Sequence, residues 1–306
     1  MSDKIQISEI YKLLDNPDTT PNDIKQYFIK DEKDSMPFKP AIILNPEKVD
    51  FGDDEAALFM GHFNKWGKSY RKRKFERQIE KGWEGLICLE EGDSWTQYPI
   101  LLDDIVDNMF PHFAVDSLGQ AGDLLADMVK SKELTKRYDP DIHDFVFLSG
   151  GGNDLFGESR LEIYLNDYES KKAAEDHLND KFLPFLNKAI NNYDLLIGGL
   201  IKKSANVKIY IHTYAYAFPN SEKWLGKPMA KKGIVNQDFQ HEIMKVIVNK
   251  FYTAMKALEQ KYSQNVTLVD LRELLPSKDK HWSDELHPSN LGFEIITDEI
   301  ISQIKR

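Results

Sequence analysis

The chain has 306 residues and a formal net charge of −10, with an isoelectric point near 5.4. Its length suits one large domain, or one domain with a substantial extension, and a hydrophobic content of 41% is ample for a core. The acidic balance argues against nucleic acid or an anionic membrane surface as a main partner, because neutralising phosphate needs an excess of Lys and Arg on one face.

The single cysteine, Cys88, excludes an intrachain disulfide and reads as a small core residue. No apolar run approaches the ~20 residues of a membrane-spanning helix. Met1-Ser2-Asp3-Lys4-Ile5-Gln6 has no basic stretch followed by an apolar core, so a cytoplasmic protein without an export signal is expected.

In chain order, residues 1 to 35 predict a helical hairpin, Ile7 to Leu14 and then Pro21 to Lys30, joined through Asn16-Pro17. A Pro-punctuated stretch runs from Met36 to Pro46. Asp53 to Lys81 reads as another helix, with a basic cluster of Lys65, Lys68, Arg71, Lys72, Arg73, Lys74 and Arg77. A solvated helix face explains such a cluster, and docking to an acidic partner is the alternative. Residues 1–82 are thus expected to be a mainly helical extension without a catalytic signature, available as a lid or for a protein contact.

After Gly82 short apolar runs alternate with amphipathic helices, the pattern of βαβ units building a parallel sheet. The predicted strands are Leu86 to Leu89, Phe113 to Asp116, Phe145 to Leu148, Val207 to Ile211 and Val266 to Val269. Ile243, Val246, Ile247, Phe251, Ala254, Met255 and Leu258 recur at helical spacing and predict one apolar stripe laid on the sheet. Residues 83–306 are therefore expected to form an α/β domain, a three-layer α/β/α arrangement with a parallel five-stranded sheet.

Polar candidates recur where these strands end. Ser94 follows the first strand in Glu90-Glu91-Gly92-Asp93-Ser94-Trp95, Gly122 lies beyond the second, Asn153 beyond the third, and Asp284 with His287 beyond the fifth. In a parallel sheet these ends share one edge, so distant residues converge on one crevice. A serine hydroxyl needs a base. In Asp284-Glu285-Leu286-His287-Pro288 a carboxylate precedes an imidazole by one turn, where it can fix the ring's tautomer and leave the other nitrogen for the Ser94 proton. The amide of Asn153, in Ser149-Gly150-Gly151-Gly152-Asn153-Asp154, and the backbone N–H groups of Gly122 and Ser94 could serve a developing oxyanion. Competing motifs fail: Glu158 stands where a phosphate-cradling loop needs lysine, Leu155 where a dinucleotide fingerprint needs glycine, and there is neither Gly-x-Ser-x-Gly nor His-Glu-x-x-His. No metal or other cofactor is expected.

Together these stretches resemble the SGNH (GDSL-type) hydrolase family. Gly92-Asp93-Ser94 resembles its nucleophile block, Gly122 its second block, Gly151-x-Asn153-Asp154 its third and Asp284-x-x-His287-Pro288 its last, in order over residues 83 to 306. Trp95 replaces the leucine of the name-giving motif, as in a bacterial subgroup. The resemblance implies flavodoxin-like winding. It also implies Ser94 as nucleophile, His287 as general base and acid, Asp284 as its orienting partner, and Ser94, Gly122 and Asn153 as the oxyanion hole, with Gly119 competing for the place of Gly122.

Trp95, Gly151, His212 and Tyr214 are candidates for lining the substrate pocket, with His281 and Trp282 nearby. His62, His112, His143, His177 and His241 have no partner pattern. The implied activity is hydrolysis of a small-acyl or lipid-type carboxylic ester through a Ser94-acyl intermediate, rising with pH between about 6.5 and 7.5 as His287 loses its proton. A carbohydrate O-acetylesterase, thioesterase or acyltransferase would use the same groups, and a silent binding module is the rival from another class.

Overall fold

The computed structural model describes residues 4–157, 160–220 and 223–306, without the side chains of 53–58, 60–62, 64, 65 and 68. His62, Lys65, Lys68 and Glu158, weighed above, thus lie outside the described side chains. Two short sheets come first: β1 (Ile5–Gln6) pairs in parallel with β4 (Val49–Asp50), and β2 (Phe28–Lys30) pairs antiparallel with β3 (Ile42–Leu44). The main sheet follows, from β5 (Ile87–Glu91), β6 (Ala114–Ser117), β7 (Phe145–Leu148), β8 (Ile209–His212) and β9 (Val266–Val269). All its pairings are parallel and its order is β6-β5-β7-β8-β9, the flavodoxin-like winding expected.

Every side chain of β7 is buried, because helices cover both faces and leave no reason for polar alternation. The helix Gln237–Lys261 packs with Phe182–Lys203 and β9, while Asn290–Ile304 packs with Ile105–Met109 and β9. Along Gln237–Lys261 the predicted stripe is buried at Ile243, Ile247, Phe251, Met255 and Leu258, with Met244 and Val248 completing it. Val246 and Ala254 sit half-buried at its margins.

The amino-terminal segment departs from the predicted helical hairpin in its second arm, Pro21 to Lys30. The helix from Pro21 ends at Ile24, one tight turn spans Lys25–Tyr27, and the chain then runs extended as β2. Pairing with β3 wins over helix continuation because it turns Phe28 inward, 4.4 Å from the ring of Phe63 and 6.0 Å from Phe59. These rings join Ile7, Ile10, Leu14, Ile24, Leu44, Val49 and Trp66 in a second core.

The long helix Asp53–Glu80 seals this core and also packs along β6. Its basic cluster is not a uniformly solvated face. Arg71 is 5% exposed and donates to Asp104 at 2.6 Å, to Asp107 at 2.9 Å and to the carbonyl of Thr96. Lys74 stands over the Phe110 ring at 3.9 Å, and Arg77 pairs with Asp18 at 3.0 Å. Arg71 and Lys74 fasten the amino-terminal segment to the sheet domain, while Arg77 makes its pair within the segment. Burial opposes the charge on Arg71, but Asp104 and Asp107 outweigh it and keep its pKa raised.

Candidate active site

β5 delivers Gly92-Asp93-Ser94 to the carboxyl edge of the sheet in a tight turn, where the carbonyl of Asp93 accepts from the N–H groups of Thr96 and Gln97. No side chain larger than hydrogen fits at position 92, because a Cβ there would lie 2.3 Å from Thr96 Oγ1 and 2.8 Å from Ser149 Cβ. The carboxylate of Asp93 fixes the turn by accepting from the Trp95 N–H at 3.0 Å and from the Tyr214 hydroxyl at 2.6 Å.

The sequence-predicted triad comes together at this edge. Ser94 Oγ lies 2.9 Å from His287 Nε2, although 193 positions separate them in the chain. His287 Nδ1 lies 3.0 Å from both carboxylate oxygens of Asp284. An ionised carboxylate only accepts, so Nδ1 carries the proton and Nε2 is free to accept from the serine hydroxyl. Asp284 Oδ1 also accepts from the backbone N–H groups of Leu286 and His287, which locks carboxylate and imidazole on one turn. Burial works to raise the Asp284 pKa, but His287 and Lys30 outweigh it and hold the carboxyl far below the usual range.

The oxyanion candidates occupy neighbouring loops. Gly122 has φ +90°, a left-handed conformation suited to glycine. Gly119 is engaged elsewhere: its N–H donates to Glu90 Oε2 at 3.3 Å, and a Cβ there would meet that carboxylate at 2.7 Å. Asn153, in the helix Gly152–Phe156, donates one amide N–H to the carbonyl of Asp123 at 3.1 Å, tying its helix to the Gly122 loop. The amide carries a second N–H.

The four candidates for lining the pocket fare differently. Tyr214 bridges two blocks, donating to Asp93 while accepting from the Gly152 N–H at 3.0 Å. Trp95 is buried beneath the site and donates to the carbonyl of Leu286 at 2.9 Å, which steadies the residue before His287. His212 is stacked between Trp95 and Phe147, hydrogen-bonded to Ser149 Oγ and the carbonyl of Thr213, and burial lowers its pKa, so it is a neutral structural residue. Gly151, with φ +98°, packs against Phe251, whereas Gly152 packs against the ring of Phe38. His143, His177 and His241 each bond to a backbone N–H or carbonyl.

Three residues of the site were not legible locally. Lys30, at the end of β2, donates to Asp284 Oδ2 at 2.6 Å. Phe38 sets its ring 5.7 Å from His287, edge to face, and Tyr98 does so from another side at 5.0 Å. An aromatic residue four positions after Ser94 could have drawn notice to Tyr98, but nothing near Lys30 or Phe38 in sequence marks them. Ser94 and His287 are both 0% exposed. A cleft of about 550 Å³ opens beside the site among Trp66, Tyr70, Ile100 and Gln120, with Tyr98 and Lys39 standing between it and the triad.

A five-stranded parallel α/β/α fold with serine, imidazole and carboxylate meeting at its carboxyl edge defines a serine hydrolase. The GDSL-like lipase/acylhydrolase family matches residues 82–295, and the chain belongs to that family, whose members act on esters. No curated protein matches the chain. Among solved structures it is similar to the lipase Lip_vut3 from a goat rumen metagenome, with 17% identity, coverage of 71% of this chain and 96% of that one, and a TM-score of 0.51. It is also similar to a member of the lipolytic G-D-S-L family from Veillonella parvula, with 14% identity, coverage of 72% and 100%, and a TM-score of 0.43. No helix among the described residues is long and apolar enough to cross a membrane.

Proposed function

We propose that the chain hydrolyses carboxylic esters through a Ser94-acyl intermediate. The observation that carries this reading is the continuous chain of hydrogen bonds from Ser94 Oγ through His287 to Asp284. His287 Nε2 takes the hydroxyl proton as Ser94 Oγ attacks the carbonyl carbon, and the carbonyl π electrons move onto oxygen. The backbone N–H groups of Ser94 and Gly122 and the free amide N–H of Asn153 would hold that oxyanion. Collapse expels the alkoxide, which leaves as an alcohol with the proton from His287. Water then repeats the sequence: His287 removes its proton, hydroxide attacks the acyl carbon, and the acid departs as the proton returns to Ser94.

Asp284 keeps Nδ1 protonated and stabilises the imidazolium formed in each half-reaction. The test is a fluorophosphonate probe together with p-nitrophenyl ester hydrolysis. The native chain is expected to be labelled on Ser94, and Ser94→Ala to lose labelling and about three or more decades of turnover while melting at the same temperature. Full activity in folded Ser94→Ala would refute the assignment.

A further inference from the structure

The space in front of the triad is filled by the amino-terminal segment. Between β2 and β3 the chain forms a finger closed by bonds from the Asp31 N–H to the Ala41 carbonyl and from the Ala41 N–H to Ser35 Oγ, each 2.9 Å. Its tip is the turn Met36-Pro37-Phe38-Lys39, in which Met36 and Lys39 exchange both backbone hydrogen bonds at 3.0 Å. Phe38 takes φ +53° there, a left-handed conformation that suits glycine and costs a residue with a Cβ about 1 kcal/mol or more.

The docked ring offsets that cost. Phe38 is 2% exposed and lies 5.6 Å from Tyr214, 6.3 Å from Phe156 and 5.7 Å from the catalytic imidazole. Its edge rests on the backbone of Gly152, where a Cβ would come within 2.7 Å of the ring. The methylenes of Lys39 rest on Gly122, at 3.0 Å from where its Cβ would stand. One turn therefore covers the base and both oxyanion loops. Behind the ring only about 10 Å³ remains unfilled, among Trp95, Phe156, Tyr214, Met244, Val248 and Leu286.

We propose that Phe38 occupies the acyl-binding chamber as an internal surrogate, and that the substrates are esters of apolar, medium-length acyl chains that enter as the finger tip withdraws. The inference rests on the esterase reading above. The chamber's walls are aromatic and aliphatic, so nothing in it would recognise a charged or sugar-like acyl group, and burying an unpaired polar group there would be unfavourable. The ring that fills it has six carbons, so the space released suits about four to eight chain carbons. The finger's base need not move: Phe28, Ile42 and Leu44 stay in the second core and Lys30 stays on Asp284. Only the tip has to lift.

Phe38→Gly tests this, because glycine accepts the left-handed turn while vacating the chamber. Fluorophosphonate labelling and kcat/KM for p-nitrophenyl acetate, butyrate, hexanoate, octanoate and decanoate are measured for both proteins, with melting curves as the folding control. The expected result is labelling about tenfold faster in Phe38→Gly and a gain in kcat/KM that grows from acetate to hexanoate or octanoate. Phe38→Leu, a smaller plug of the same polarity, should give a partial gain and serves if the glycine variant does not fold. Unchanged or slower labelling with an unchanged chain-length profile, Ser94 still being labelled in the native chain, would overturn this inference and leave the esterase reading standing. No labelling of Ser94 in any of the folded proteins would overturn the esterase reading itself.

Discussion

Replacing Lys30 by Met isolates the electrostatic contribution of the amino-terminal segment to the triad. The ammonium lies 2.6 Å from Asp284 Oδ2, and His287 Nδ1 stands 3.0 Å from both oxygens of the same carboxylate. At an effective dielectric constant of ~20 an ammonium and a carboxylate in such contact attract by about 5 to 6 kcal/mol. The Lys30 side chain is 16% exposed, and solvent screening with the desolvation of both ions reduces the net contribution to about 1 to 2 kcal/mol. Removing the ammonium takes away one of the groups that hold the Asp284 carboxyl low; the change should cost little in an Asp284→Asn chain, whereas Lys30→Met alone should lose about 1 to 2 kcal/mol of stability at pH 7. Lys30→Arg should restore it.

Other groups face this pair and are unchanged in both variants: Lys223, which pairs with Glu32, the ring of Tyr98, and Glu285, whose carboxylate accepts from the backbone of Asn220, Leu225 and Gly226. Urea melting at pH 7 of the native chain, the two single variants and the double variant is the assay. A Lys30→Met chain as stable as the native one, or an equal loss with and without Asp284→Asn, would refute the reasoning, since a purely structural contact would not depend on the charge of Asp284.

Tyr214→Phe removes the hydroxyl that joins Asp93 to the Gly152 N–H; a stability loss of about 1 to 3 kcal/mol, read by urea melting, and a fall in kcat larger than any rise in KM are expected. Arg71→Leu leaves the buried carboxylate of Asp104 without its cation, so unfolding should become easier by about 3 to 5 kcal/mol, and Asp104→Leu in the same chain should recover part of that. Asp284 and Asp116 have pKa values held below that of an unfolded aspartate, in spite of burial: Asp284 by His287 and Lys30, Asp116 by His143 and Arg137. Their stabilisation is thus complete above about pH 4 and is lost as pH falls through the folded values, so the melting temperature should drop steeply below pH 4, and less so in Asp116→Asn.

The sequence alone determined the parts whose signals are local. Apolar runs between amphipathic helices located the five parallel strands, with β7 and β9 at their predicted bounds, because β7, buried on both faces, is apolar throughout and β9 is interrupted only by the half-buried Thr267. Asp284 and His287 share one turn, so their pairing follows from spacing, and Ser94 was legible because it follows a buried strand through a glycine that no other residue can replace. Only the tertiary structure decided the rest. Lys30 reaches Asp284 across 254 positions. Phe28 leaves its helix to bury a ring against residues far along the chain, Arg71 turns from the solvent to buried aspartates, and Phe38 accepts a strained turn because the chamber around its ring stabilises it. Each of these depends on which surfaces meet once the sheet has formed, and the chemistry of a surface contact is not written in the spacing of either partner.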